Sequence, residues 1–97
     1  MSEEKKEEEK VTLSEPIRVK DILLMTLYSL EGKAWAYLGL VAHPETKQPK
    51  KDVTEAKLAI DTIEALYKII KDKLSSDESK DLEVRLTNLR LNFVKNQ

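Results

Sequence analysis

The chain of 97 residues has no cysteine, one histidine, two glycines and three prolines. Without cysteine there is no disulfide staple, no thiolate zinc site and no thiol nucleophile. Two glycines make no Gly-rich loop to hold a phosphate. His43 as sole histidine leaves the commonest general base almost unrepresented, and with Glu45 it supplies only two ligands of an incomplete metal site. It is read as a surface turn histidine beside Pro44. A net charge of −1 gives no general attraction to nucleic acid or anionic membranes. Lys47, Lys50 and Lys51 form the one basic cluster outside the amino-terminal residues, and without interleaved aromatics they read as solvated loop charge. The sequence therefore predicts a protein that is not an enzyme, with no catalytic, cofactor-binding or metal-ligating residue.

A long uncharged run is also missing. From Ile22 to Ala42 only Glu31 and Lys33 carry charge. The aliphatic residues of that stretch would favour insertion by about 4 kcal/mol in total, but each central charge costs about 2.5–3.5 kcal/mol. Membrane insertion loses, and the segment reads as a buried helix.

What is present is helix-forming material. Residues 1–10 are nearly all charged and predict a disordered tail extending to about residue 16, followed by one helical domain over 17–97. The charged amino terminus has no signal-peptide pattern, so a cytoplasmic location is expected. Abundant Lys and Glu lean towards a thermophilic source.

Ser14 is a candidate cap ahead of Pro16, and the helical period then runs from about Ile17 or Val19 to Leu38. Leu23, Leu27, Leu30, Ala34 and Leu38 form one stripe, and Leu24, Tyr28 and Trp35 a second about 100° round. Gly32 weakens the helix interior, or lets another backbone come close. Gly39 is placed to stop the helix, and Leu40–Lys51, with Pro44 and Pro49, is a loop. Asp52 caps a second helix, expected to about Lys73, with Ala56, Ile60, Ile63, Tyr67, Ile70 and Leu74 on one face and Leu58, Ala65 and Ile69 almost opposite. Ser75 and Glu78 make a capping box for a third helix. There Leu82, Leu86, Leu89 and Phe93 oppose Val84 and Leu91. The short second turn predicts an antiparallel hairpin of helices two and three, with helix one across it and Asp61 meeting Arg90.

Three segments carry a family resemblance. Leu38-Gly-Leu-Val-Ala-His-Pro-Glu-Thr46, Ala56-Lys-Leu-Ala-Ile-Asp-Thr-Ile63 and Leu89-Arg-Leu-Asn-Phe-Val94 resemble the bacterial domain of unknown function 1844, across most of residues 20–95. The resemblance implies a short helical protein and brings no activity, cofactor or catalytic residue. Where that family tends to carry Gly-Asn between its second and third helices, this chain has Ile70-Lys-Asp-Lys-Leu74, which should prolong helix two.

A helix apolar on two sides is buried on both or waits for a partner. Each large apolar side chain left in water forgoes about 1.5–3 kcal/mol. A core of about 80 residues has little stability to spare. The fold expected is all-α, a three-helix protein assembling into an oligomeric helical bundle. Its candidate interface is Leu24, Tyr28, Trp35, Leu58, Ile69, Val84 and Leu91. The function expected is a homo-oligomeric interaction or scaffold protein that partners itself. The alternative is an adaptor presenting a hydrophobic groove to an amphipathic helix of another protein. Nucleic acid is disfavoured as a partner.

Overall fold

The computed structural model describes Thr12 and residues 14–97, so most of the expected charged tail lies outside the described residues. Every described element is helical: α1 (Val19–Tyr37), α2 (Val53–Ile70), a 3₁₀ turn (Lys71–Lys73) and α3 (Ser76–Lys95).

The ends follow local chemistry, with one exception. The N-cap of α1 is Arg18, whose side chain makes no cap hydrogen bond. Ser14 lies four residues too early to serve, so the expected cap is corrected: Pro16 precedes the helix. At the other end Gly39 adopts φ +85°, a left-handed conformation that costs glycine little. Its N–H donates to the Ala36 carbonyl at 2.9 Å and Leu40 N–H to that of Trp35 at 3.2 Å, the paired bonds of a Schellman motif. Asp52 N–H satisfies the Tyr37 carbonyl at 2.8 Å, joining the end of α1 to the start of α2.

Asp52 Oδ1 accepts from the N–H groups of Thr54 and Glu55, and the Ser75–Glu78 capping box is complete. The helical course expected to Lys73 is realised as α2 plus one turn tightened to 3₁₀. Only Leu74 and Ser75 then separate it from α3, so α3 must reverse direction.

α2 runs antiparallel beside α1. α3 returns along α2 and touches both: Tyr67 meets Glu83, Arg90 meets Asp61 and Glu64, and Arg85 meets Glu31. The core is Leu24, Leu27, Ala34 and Leu38 from α1 and its cap, Ala56, Ala59, Ile60, Ile63 and Ile70 from α2, and Leu82 and Leu89 from α3. On α1 the buried arc falls between the two expected stripes. Leu24 enters the core, while Leu23 and Leu30 shift to its edge. α1 has two neighbours, so its buried arc is centred between them.

The protein is flat. Its extents are 49, 36 and 18 Å, and helices pack with axes about 8–10 Å apart, so the thin dimension holds two helix layers and no third. The radius of gyration is 16.5 Å, where a compact chain of this length would have about 12–13 Å. Each layer therefore keeps an outer face.

Gly32 is exposed, and a Cβ added there meets nothing within 4 Å. Gly32→Ala is expected to stabilise the protein by about 0.5–1 kcal/mol, read as a raised urea midpoint at unchanged slope. A loss of stability would mean that another chain's backbone packs against this glycine.

Candidate functional site

The loop after α1 is tied down by His43, only 4% exposed. This corrects the surface histidine read from sequence. Its Nε2 lies 2.9 Å from the Lys50 carbonyl, which can only accept, so Nε2 carries the proton. Nδ1 is then the acceptor for Lys33 Nζ at 2.7 Å. The same ammonium donates to Glu45 Oε2 at 2.7 Å and sits 4.9 Å from the Tyr37 ring centre. The hydrogen bond from Lys33 holds the Glu45 carboxyl below its ordinary range. Tyr37 and His43 rings meet edge to face at 4.5 Å. With both ring nitrogens engaged, His43 offers no free lone pair to a metal and no labile site to a substrate. The cluster is a clamp that closes the loop on α1.

The other charge of the apolar stretch, Glu31, also ties elements together. Its Oε1 accepts from Arg85 Nη1 at 2.8 Å and its Oε2 from Trp35 Nε1 at 3.3 Å. Arg85 also donates to Asp81, and its guanidinium lies 5.0 Å from the Tyr28 ring centre. The expected Asp61–Arg90 pair is present at 3.5 Å. Glu64, which sequence reasoning missed, is the nearer partner of Arg90. Lys57 donates to Asp61 and, ahead of Arg90, lowers its pKa below the ordinary carboxylate value. The hydrogen bond to Glu83 raises the pKa of the Tyr67 hydroxyl.

Of the seven candidate interface residues, Leu24 belongs to the core and Trp35 packs against it. Tyr28 lies under Arg85 yet is itself 41% exposed. Four more are open: Leu58 at 61%, Ile69 at 71%, Val84 at 59% and Leu91 at 55% exposure. Val84 and Leu91 are on the outer face of α3, where Thr87 and Asn88 interrupt them. Leu58 and Ile69 are on the outer face of α2, beside the α1–α2 seam. Two depressions lie along that seam. One of about 370 Å³ is lined by Leu30, Lys33, Tyr37, Leu58 and Thr62, and one of about 250 Å³ by Val19, Leu23, Ile69 and Lys73. Together they make the seam an apolar surface running along two helices.

The family described as a domain of unknown function (DUF1844) matches residues 21–95. The chain belongs to this family. The match spans nearly all of α1, the His43 clamp, α2 and all of α3, so the open strips are part of the domain itself. No curated protein and no solved structure matches the chain. Ile70–Leu74, expected to prolong the second helix, closes α2 with the 3₁₀ turn Lys71–Lys73. No helix among the described residues is long and apolar enough to cross a membrane. Among them, too, no three His, Asp or Glu side chains gather as a metal site would need.

Proposed function

We propose that this DUF1844 protein is a non-enzymatic, cytoplasmic helical interaction protein whose first partner is itself. One observation carries the reading. In a protein two helix layers thick, Leu58 and Ile69 stand more than half exposed on the face opposite the core. A single copy has no third layer to cover them, and a second copy supplies one. The charges agree with this role. Arg85 and Arg90, the arginines that would read a phosphate backbone, are both held in ion pairs within the chain.

Size-exclusion chromatography with light scattering, run over a concentration series, tests the reading. The expected mass is at least twice the 11.2 kDa of one chain, falling towards one chain on dilution. A mass of one chain at every concentration would overturn it.

A second reading, the adaptor, rests on a different surface. Tyr28, Ser29, Gly32, Val41, Ala42 and Pro44 line a depression of about 510 Å³ between α1 and its loop. Gly32 leaves its floor without a side chain, as a groove for a partner's helix requires. A monomer that binds the dye ANS, with binding reduced by a bulky residue at Gly32, would favour this alternative.

A further inference from the structure

Self-association leaves open which face is used and in which direction the copies run. We infer that the outer strip of α2 pairs with the same strip of a second copy, antiparallel, about a two-fold axis passing between Thr62 and Ala65. The inference rests on the self-association proposed above.

The strip is Leu58, Thr62, Ala65 and Ile69, at spacings of four, three and four, so it forms one ridge on α2. Leu58, Ala65 and Ile69 are exposed, and Thr62 is half-buried at the seam. The ridge reads the same from either end in size: a large aliphatic, two small residues, a large aliphatic. Turned end for end, it sets Leu58 against Ile69 of the second copy and Thr62 against Ala65. Small residues at the middle let the helices approach closely, and the large ones close over both ends.

Charge decides the direction. On one flank Asp61 falls opposite Lys68 of the second copy, and on the other Glu55 falls opposite Lys73. The two-fold repeats each unlike pair. Asp61, though bonded to Lys57 and near Arg90, is still 46% exposed, and Lys68 is 70% exposed, its contact to Glu64 a loose 3.6 Å. In a parallel pairing, flanking residues meet at a spacing of five, which puts Lys68 beside Lys73 of the second copy and opposes like charges. Leu23 and Leu30 of α1 lie half-buried along the seam. They extend the contact, so each copy lends α1 and α2 to a four-helix bundle with α3 outside. The outer strip of α3 has the same large-small-small-large order, but both of its middle residues, Thr87 and Asn88, are polar and leave no apolar middle to pack.

The absence of cysteine makes the test direct. Leu58→Cys and Ile69→Cys chains, each with one thiol on an exposed site, are prepared separately and then mixed. Leu58 and Ile69 are eleven residues apart, about 16 Å along the helix. A thiol crosslinker shorter than that distinguishes the directions. The antiparallel register predicts covalent dimer in the mixture, joined 58 to 69, and little from either variant alone. Dimer formed by each variant with itself would overturn the register. So would a dimeric mass with no 58-to-69 link, leaving self-association standing. A monomeric mass by light scattering would overturn both and leave the strip to a helix of another protein. Ala65→Glu gives a second measure. The site is exposed in the monomer, so the helical circular dichroism should be kept while dimer dissociation strengthens at least 10-fold.

Discussion

Leu89→Ala is expected to lower the unfolding free energy by about 2–5 kcal/mol, the range for removing a buried leucine from a core that collapses only partly. Leu89 is fully buried in the core. With Leu82, and with Leu86 and Phe93 packed at the core's edge, it holds α3 onto the α1–α2 layer. A domain of about 80 residues has a total stability of about 4–12 kcal/mol, so this one change removes a large share of it. Urea unfolding followed by circular dichroism reads the effect as a lower midpoint. Leu91, two residues further along the same helix and 55% exposed, is the control. Leu91→Ala should stay within about 0.5 kcal/mol of the parent. A larger loss at Leu91 than at Leu89 would mean that the faces of α3 are assigned the wrong way round.

His43→Phe is expected to cost about 1–3 kcal/mol, the penalty for leaving buried hydrogen-bonding groups without partners. Phenylalanine keeps a ring against Tyr37 but takes away both nitrogens. The Lys50 carbonyl loses its donor and the Lys33 ammonium loses one acceptor. The loss is therefore polar rather than steric. Hydrogen exchange should show faster opening of residues 40–51 than of the α2–α3 hairpin, because the clamp holds the loop to α1. Combining His43→Phe with Lys33→Met tests the partnership, and the two changes should cost less together than the sum of the singles. Strict additivity would count against the clamp.

The clamp was poorly legible in the sequence. His43 and Lys33 are ten residues apart with a helix stop between them, and no periodic pattern links a helix residue to a loop residue. A signal did exist. Lys33 and Glu31 are the only charges in an otherwise uncharged stretch, and each turns out to join elements: Lys33 to the loop, Glu31 to α3. A charge kept within an apolar segment asks for a partner, and the candidates lay in the next polar segments. The Asp61–Arg90 pair was legible because a short turn enforces antiparallel helices and so sets which residues come level. Glu64 was not singled out, although it lies on the neighbouring turn and faces the same arginine.

The sequence by itself determined three helices, two of their amino-terminal caps, the glycine stop, and the fact that α2 and α3 carry apolar residues on opposite faces. Those features depend on interactions within about four residues, which a linear pattern records directly. The tertiary structure decided which face is core. It drew Leu24 inward, left Leu58 and Ile69 outside, and showed only two layers where the apolar faces would fill three. Periodicity gives angles about one helix axis, whereas burial depends on where the other axes lie. That placement comes from contacts far apart in the chain, and with it comes the open strip on which the proposed assembly rests.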